Sequence, residues 1–549
     1  MRDFYLKPKL FSAMKTYSGG QLLKDIIAGA IVAIIALPLS IALALASGVE
    51  PACGVYTAIA AGFIISFFGG SRVQIAGPTA AFATIVAGIV ATQGMGGLIL
   101  STILAGVILI LMGVFKLGSL IKFIPSTITV GFTAGIAVTI FIGQIKDFLG
   151  ITYADGVRPV ESIEKIMANI EAIGTFSWQS LLVGAVCLAI LIIYPKLERR
   201  IPPSLIATVV GVLMVYFIPG LNDGVYTIGE LYTIPSGLPK IDLSSIDISL
   251  DSIGAALPNA FTIAILASIE SLLSCVVADS MVNSKHNSNM ELVAQGMGNI
   301  ASVLFGGIPA TGAIARTAAN IKNGGRTPIA GMVHSVVLLL VLLFLMPYAG
   351  LIPMPTIAAI LFMVAYNMSE WKKFVHIVKT APRLDMAVMV VTFVLTVIFD
   401  LVVAIEIGMI LALLVFMKNS SEQASVKSWD YNTDKSGETL REIPKNVRVY
   451  EVSGPMFFGA ADKILDIKLK DYTRFLILRM RSVPTIDSTA MSFIEILYQK
   501  CKEQGVTLIL SHVNPQPLEV MKRSGFYDEL GEKSFCKHID EALELASEK

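Results

Sequence analysis

Apolar runs of membrane-spanning length recur along this chain as far as residue 417 and restrict it to one kind of fold. A helix needs about 20 apolar residues to cross a bilayer. Twelve continuous candidates are present, at residues 26–46, 55–68, 98–115, 126–145, 181–194, 205–218, 260–278, 292–305, 329–346, 357–366, 386–399 and 401–417. Lipid offers backbone polar groups no hydrogen-bond partner. The sequence therefore predicts a polytopic α-helical membrane protein.

The charged residues divide the chain into a membrane part and a soluble tail. Residues 1–418 contain 45 Asp, Glu, Lys and Arg, about 11%, whereas residues 419–549 contain 38, about 29%. Soluble domains carry about 25% charged residues, so only the tail has such a composition. We predict a cytoplasmic segment at 1–20, a transmembrane domain at 21–418, a linker at 419–441 and a soluble domain at 442–549. The net charge of +1 gives no basis for nucleic-acid binding.

Two further apolar segments, 78–91 and 315–321, are too short to cross a bilayer alone. Including them gives fourteen elements, and with the N-terminus inside, the loops rich in Lys and Arg fall on the cytoplasmic side. The two long outside loops, 147–177 and 220–256, are rich in acidic residues instead. Because this path returns the chain to the starting side, we predict that both termini are cytoplasmic.

The two short segments belong to an internal repeat. Phe67-Phe68-Gly69-Gly70 recurs as Leu304-Phe305-Gly306-Gly307, an offset of 237 residues. Each copy leads through about seven extended residues into a short helix, opening at Pro78 and at Ala315. Seven elements per half is an odd number, so the halves, about 21–220 and 255–418, run in opposite directions.

An inverted repeat with two interrupted helices is typical of secondary transporters. The N-termini of two half-helices would meet near the bilayer midplane, and their amides and positive dipole ends favour an anion. The alternative is two ordinary kinked helices whose sequences match by chance.

At these residues the chain resembles the sulfate permease (SulP) family of anion transporters. The motifs that carry the resemblance lie in the second half of the membrane domain and are Glu270-Ser-Leu-Leu-Ser274, Val277-Ala-Asp279, Lys285-His-Asn-Ser-Asn289, Glu291, Gln295-Gly296, Gly298-Asn299, Gly307-Ile-Pro309, Arg316, Asn320 and Gly324-Gly325-Arg326-Thr327. The tail resembles the sulfate transporter and anti-sigma factor antagonist (STAS) domain.

The resemblance implies a seven-plus-seven inverted repeat, divided into a core domain that carries the substrate and a gate domain, and a homodimeric assembly. We predict that the substrate lies against Ser40, Pro78, Thr79, Ala80, Gly312, Ala313, Ile314, Ala315 and Arg316. Many sulfate-type members carry Pro-Gln and a Tyr in the first span, whereas this chain has Pro38-Leu39 and no Tyr there. Sulfate, bicarbonate and a dicarboxylate therefore all stay open as substrates.

Glu270 is the residue predicted to couple transport to an ion. It lies about nine residues into an apolar helix, where a carboxylate costs at least ~2.5 kcal/mol unless it is paired, hydrated or protonated. A carboxylate beside an anion site can take up a proton when the anion enters, with sodium as the alternative ion. Ser274 lies one turn further on the same face. The competing interpretation is a structural Glu270 permanently paired with Arg316.

Arg316 is predicted in the first turn of the second half-helix, which is the unfavourable end for a cation. That placement indicates anion attraction or a partner for Glu270, and the simpler alternative is an arginine that snorkels to the cavity rim.

The tail alternates predicted strands (447–452, 475–480, 506–510) with helices that start at Ala461, Ser488 and Pro517, which indicates an α/β unit with a largely parallel sheet. It contains no phosphate-binding glycine loop and no catalytic triad. Asp487 and Ser488 lie where a strand gives way to a helix. In related antagonist proteins a serine after this aspartate is phosphorylated, and the alternative is a helix cap.

We therefore predict a multi-pass transporter of small anions in the cell membrane, coupled to protons, that is no enzyme and needs no cofactor or metal. There are two alternatives: a passive anion channel on the same scaffold, and an anion sensor that signals through the STAS domain.

Overall fold

The chain forms two compact units, Met1–Met409 and Ile410–Lys549. The computed structural model describes residues 6–119, 125–154, 156–157, 159, 161–197, 201–233, 237, 247, 249–399, 401–428 and 443–547. The ends of the chain, most of the predicted linker (429–441) and the middle of the second acid-rich loop lie outside the described residues.

The first half of the membrane unit consists of helices and one very short strand. These are α1 (Lys9–Ala13), α2 (Gly19–Ala46), α3 (Pro51–Phe68), β1 (Ala76–Gly77), α4 (Ala80–Val114), α5 (Ser126–Leu149), α6 (Ser162–Glu171), α7 (Trp178–Leu197), α8 (Pro203–Phe217) and α9 (Ile228–Leu231).

The second half also consists of helices and one very short strand. Its elements are α10 (Leu250–Val282), α11 (Ser288–Leu304), β2 (Thr311–Gly312), α12 (Ile314–Lys322), α13 (Ile329–Phe344), α14 (Met346–Ala349), α15 (Met354–Met368), α16 (Trp371–Thr380), α17 (Arg383–Ile398) and α18 (Leu401–Gln423).

Seven helices in the described part of the chain are long and apolar enough to cross a membrane, namely α2, α3, α4, α5, α7, α10 and, from Val403, α18. Two more, α8 and α13, are apolar but shorter. The chain therefore has the helices of a membrane protein, and the path of fourteen elements stays a prediction.

The predicted first half-helix, 78–91, is the start of a longer element. Helix α4 runs from Ala80 to Val114, but Gly94 has φ 68° and ψ −173°, which interrupts the helical backbone. Residues with a side chain rarely adopt that φ, so a glycine at this position permits the break. The segment before Gly94 is thus a short helix in its own right, and it begins two residues after Pro78. The second half-helix, α12, begins one residue before the predicted Ala315.

Packing divides the described membrane helices into two groups. The first consists of α2, α3, α4 and α10 to α13 and includes the strands, β1 against α3 and β2 against α10. The second is built from α5, α7, α8, α15 and α17. Small residues allow the close crossings, as in membrane proteins generally: a Cβ added at Gly296 of α11 would overlap with the carbonyl oxygen of Gly106 in α4.

The tail folds as an α/β unit around a five-stranded sheet with the order β3-β4-β5-β6-β7. Its elements are β3 (Ser425–Ser428), β4 (Val447–Ser453), β5 (Phe475–Ser482), α19 (Ser488–Glu503), β6 (Thr507–Ser511), α20 (Pro515–Arg523), α21 (Phe526–Leu530), β7 (Phe535–Cys536) and α22 (Ile539–Ser547). Strands β4 to β7 are parallel and β3 is antiparallel, so the largely parallel sheet is confirmed.

Two local predictions for the tail differ from the structure. The helix expected from Ala461 is only a single 3-10 turn, Ala461–Ile464. The segment predicted as a linker from residue 419 is helical to Gln423 and then forms β3, whose register pairs Val426 with Val452. The backbone of this segment finds partners along β4, so its polar composition does not prevent a strand.

Candidate functional site

A two-residue antiparallel ribbon brings the two halves of the membrane unit together. Ala76 pairs with Gly312, and Gly77 pairs with Thr311. The ribbon continues by one bond, in which the amide of Ala313 donates to the carbonyl oxygen of Ile75 at 2.9 Å. Because the strands are antiparallel, the chain leaves them in opposite directions. Helices α4 and α12 therefore both point their N-terminal ends toward the ribbon.

Each of these helices begins with amides that have no partner in their own helix. In α4 the first cap bond runs from the Phe82 amide to the carbonyl oxygen of Thr79, at 3.2 Å. In α12 it runs from the Thr317 amide to the carbonyl oxygen of Ala313, at 2.9 Å. The preceding amides carry the positive end of each helix dipole. The free amides at the starts of α4 and α12 therefore point toward the same region, beside the ribbon.

Thr79 links the start of α4 to α10. Its backbone is extended (φ −126°, ψ 156°), and its hydroxyl makes no cap bond to its own helix. Instead the hydroxyl donates to Glu270 Oε2 at 2.9 Å. The helix therefore starts at Ala80 and not at the predicted Pro78, since the extended Thr79 is its N-cap. Pro78 itself is buried and Thr79 is partly exposed.

Arg316 lies in the first turn of α12 and is almost completely buried, at 1% exposure. One guanidinium nitrogen, Nη2, donates to the hydroxyl of Ser40 at 3.3 Å. Nitrogen Nη1 lies against Gly77, where an added Cβ would overlap with it. Neither Nη1 nor Nε has a hydrogen-bond partner among the described residues. Arg316 is therefore a buried cation with unused donors, which is costly without a counter-ion.

The arrangement bears on the alternatives for Glu270 and Arg316. No ion pair joins them in the part of the chain that the structure describes; Glu270 is bonded to Thr79 and Arg316 to Ser40. The burial of Arg316 also differs from that of a side chain that snorkels to a rim. Glu270, in α10, is thus bonded to the start of α4, whereas Arg316, in α12, is bonded to α2.

Ser271 fastens α10 to the ribbon, and Ser274, one turn further along, contacts α12. The Ser274 hydroxyl reaches the hydroxyl of Thr317 at 3.5 Å, a long contact. The Ser271 hydroxyl accepts from the amide of Gly312 at 2.9 Å and lies 2.8 Å from the hydroxyl of Thr311. Ser271 was missed by the sequence analysis, although it follows Glu270 directly in a polar pair within an apolar helix. Its bond also occupies the Gly312 amide.

Gly312 is packed more tightly than its predicted place in a substrate path suggests. A Cβ added there would overlap with the amide of Gln74. That amide group donates to the buried Glu291 at 2.9 Å, and Glu291 also accepts from Gln295 and from the amide of Gly70, each at 2.9 Å. Substitution of Gly312 would thus disturb a buried polar network. Of the predicted lining residues, Ala313 is partly exposed, and Ile314 and Ala315 are exposed.

In the tail, Asp487 caps α19. Its Oδ1 accepts from the amide of Ala490 at 2.8 Å, and its Oδ2 accepts from the amide of Phe458 at 3.0 Å. Ser488 is the first residue of the helix and is exposed. The carboxylate therefore has a structural use, whereas phosphorylation of Ser488 stays a prediction.

Replacement of Asp487 by alanine is expected to lower the free energy of unfolding of the tail by about 1–2 kcal/mol, because the helix loses its cap and the Phe458 amide loses its acceptor. Ser488→Ala is the matched control and should change it by less than about 0.5 kcal/mol, since an exposed hydroxyl is removed. Urea denaturation of a soluble fragment that includes β3 measures both. Equal effects of the two substitutions would contradict the cap assignment.

The comparisons with known proteins agree with one another. The model described as the sulfate permease family matches residues 22–392, and the model of the STAS domain matches residues 439–542. YvdB of Bacillus subtilis (strain 168), provisionally named a sulfate transporter, is 40% identical over 536 residues, which cover 96% of this chain and 98% of YvdB. The bicarbonate transporter BicA of Picosynechococcus sp. (strain PCC 7002) is 32% identical over 465 residues, covering 80% and 79% of the two chains.

A solved structure extends the comparison to the whole fold. The murine Solute Carrier 26 family member A9 anion transporter, in its inward-facing state, matches with a TM-score of 0.88 over 100% of this chain and 94% of its own. The two sequences are 18% identical, so this likeness concerns the fold alone.

Proposed function

This chain belongs to the sulfate permease family, and we propose that it is a secondary active transporter of small anions such as sulfate, bicarbonate or a dicarboxylate. The observation that carries the proposal is Arg316, a buried guanidinium with two unused nitrogens at the start of α12. An anion at that place would supply the missing counter-charge. The family is one of permeases, which supports a role other than catalysis.

The substrate is held, in this proposal, between the N-terminal ends of α4 and α12. Helix N-termini bind anions because free amides and the helix dipole act together. A guanidinium adds charge-assisted bonds, which are roughly twice as strong as neutral ones. Ser40, already bonded to Arg316 at 3.3 Å, would orient the guanidinium toward the anion.

The antiparallel ribbon supports the proposed inverted repeat. Ala76–Gly77 and Thr311–Gly312 follow corresponding glycine-rich sequences, and each leads into a helix that starts at the ribbon. Two halves of opposite orientation would produce this arrangement, with seven elements each. In the proposal the first packing group carries the substrate and the second is the gate, both termini are cytoplasmic, and the cell membrane is the location. We also propose a homodimer.

The proposed coupling residue is Glu270. Its carboxylate accepts a hydrogen bond from the Thr79 hydroxyl, at the start of one half-helix. An anion that arrives there places a second negative charge nearby, and like charges at short distance disfavour the ionised carboxylate. Anion binding would thus be accompanied by proton uptake, which is the requirement for symport. Sodium, attracted by the carboxylate, is the alternative coupling ion.

Uptake into proteoliposomes tests the function directly. Sulfate, bicarbonate, fumarate and chloride are compared, each with and without an imposed pH gradient; sulfate and bicarbonate come first because relatives carry those names. We expect saturable uptake of at least one anion that an inward proton gradient accelerates. Flux that does not saturate and moves no protons would indicate a channel. Binding without flux, with a phenotype that depends on residues 442–549, would indicate a sensor.

A bulky side chain at position 313 is expected to block the site. Ala313→Leu should weaken anion binding by about tenfold or more, because Ala313 is the partly exposed N-cap of α12, and overpacking costs about 1–3 kcal/mol. Ala318→Leu, five residues further along and also partly exposed, is the matched control. Calorimetry gives the affinities and a thermal melt confirms folding. Normal binding by a folded Ala313→Leu variant would place the substrate elsewhere.

A further inference from the structure

A buried histidine in α13 has no hydrogen-bond partner among the described residues. His334, in α13, has 0% exposure, and neither Nδ1 nor Nε2 is bonded to any described residue. A neutral imidazole has one N–H donor and one nitrogen acceptor, so both capacities are unused. Buried polar groups are rarely left in this state, and each such case needs an explanation.

His334 and Arg316 face the same short piece of backbone. A Cβ added at Gly62 would lie 3.9 Å from His334 Cδ2 and 3.3 Å from the carbonyl oxygen of Ala76. The next residue, Gly77, is the one that lies against Arg316 Nη1. The imidazole and the guanidinium thus both lie near the Ala76–Gly77 backbone of β1, and both carry unused nitrogens.

Two features act against a charge on the His334 ring among the described residues: its complete burial, which is the larger effect, and the positive charge of Arg316. Helix α3 contains no charged residue, and α13 contains none besides His334. Helix α2 carries Lys24 and Asp25 near its start, and the Asp25 carboxylate is occupied by Thr327 Oγ1 at 2.6 Å and by the Arg326 amide at 2.9 Å. No described carboxylate is therefore placed to balance a charge on His334.

We propose that His334 accepts a proton when an anion binds at Arg316, which makes it a second proton-coupling residue of the transporter. The inference rests on the proposed function. While Arg316 has no counter-ion, a second positive charge in the same low-dielectric interior is strongly disfavoured. An anion on the guanidinium cancels that repulsion and adds negative charge near the ring, which offsets part of the cost of burying an imidazolium. A ring nitrogen then takes the proton, and the imidazolium balances the charge that the anion brings in.

This role is separate from that of Glu270. Glu270 contacts Thr79 at the start of α4, whereas His334 lies beside β1 on the side of α3 and α13. Each group gains a proton for the same electrostatic reason, namely that the anion adds negative charge nearby. The number of protons taken up per bound anion is therefore the sum of two contributions, and each residue can be removed without the other.

Calorimetry with sodium sulfate, or with sodium bicarbonate in a sealed cell, measures that number. Titrations of the full-length protein in two buffers with different ionisation enthalpies give the protons taken up per anion. We expect His334→Gln to bind the anion within about fivefold of the wild-type affinity but to take up fewer protons, with a flatter dependence of Kd on pH. Ser335→Ala, the next residue, whose hydroxyl donates to Ala58 and Gly331 carbonyl oxygens, is the control and should keep the full number.

The outcomes separate the two proposals. Unchanged proton uptake in His334→Gln overturns the role of His334 and leaves the transport proposal intact. Absence of anion binding and uptake in the wild type overturns both. Should His334→Gln fail to fold, nitrogen NMR of histidine-labelled wild type decides: one of the five histidines should become an imidazolium on addition of sulfate at constant pH. The same neutral signal with and without the anion overturns the inference.

Discussion

Arg316→Leu is expected to abolish anion binding while leaving the anion-free protein at least as stable as the wild type. Charge-assisted hydrogen bonds contribute about 1.5–3 kcal/mol each, so the loss of even one lowers affinity by about tenfold to 150-fold. Stability should respond in the other direction. The wild-type guanidinium is buried with two nitrogens unbonded, and its replacement by an apolar side chain removes an uncompensated charge.

This pair of opposite changes distinguishes a binding residue from a structural one. A structural arginine would stabilise the protein through its bonds, and its removal would lower the melting temperature. Arg316→Lys keeps the charge but loses the planar donors, and should retain weak binding. Ser40→Ala removes the neutral partner at 3.3 Å and should weaken binding by less than about tenfold. Thermal melts with and without sulfate, together with calorimetry, measure both quantities. A destabilised Arg316→Leu variant that still binds sulfate normally would overturn the assignment.

The membrane helices could be predicted because their signal is local. Each apolar run of sufficient length becomes a helix, as for the run at 260–278, which lies inside α10 (Leu250–Val282). The shorter amphipathic helices, such as α6 (Ser162–Glu171) and α16 (Trp371–Thr380), were missed. They contain charged residues on one face, and a search for continuous apolar runs excludes them.

The candidate site was predictable in outline but not in its contacts. The repeat at an offset of 237 residues indicated two extended segments that lead into short helices, and the structure joins these segments as β1 and β2. The sequence contains no sign of which residues pair across the repeat, because their register depends on packing between distant helices. The same applies to the bond between Thr79 and Glu270, whose partners are 191 residues apart.

His334 illustrates the limit most clearly. A single histidine in an apolar helix is usually a packed residue with a satisfied ring, and nothing in its neighbours along the chain indicates otherwise. Its importance depends on two facts that only the structure contains: both ring nitrogens are without partners among the described residues, and the ring and Arg316 lie near the same strand, β1.

Glu270→Gln is expected to remove the larger part of proton-driven accumulation of the anion, leaving only what His334 contributes, while preserving anion binding. Glutamine keeps the size and one acceptor of the carboxyl group, so the hydroxyl of Thr79 can still donate to it at about the observed 2.9 Å. It cannot titrate, and the proton that the carboxylate would bind is lost. In proteoliposomes with an inward proton gradient, initial uptake should fall at least about tenfold, because the driving force loses the proton that this carboxylate couples. Exchange of labelled for unlabelled anion should continue.

Two further variants separate the carboxylate from its surroundings. Glu270→Asp retains a titrating group at a shorter reach and should keep part of the proton-driven uptake. Thr79→Val removes the hydroxyl but leaves the carboxylate, so proton coupling should survive. The free energy of anion binding should be less favourable by about 0.5–3 kcal/mol, the larger value applying if the lost hydrogen bond had a charged partner. If Glu270→Gln accumulated the anion as fast as the wild type under the same gradient, the carboxylate would have no part in coupling. His334 would then be the remaining proton acceptor beside the anion, and the proton count of the double variant Glu270→Gln, His334→Gln would decide between it and sodium.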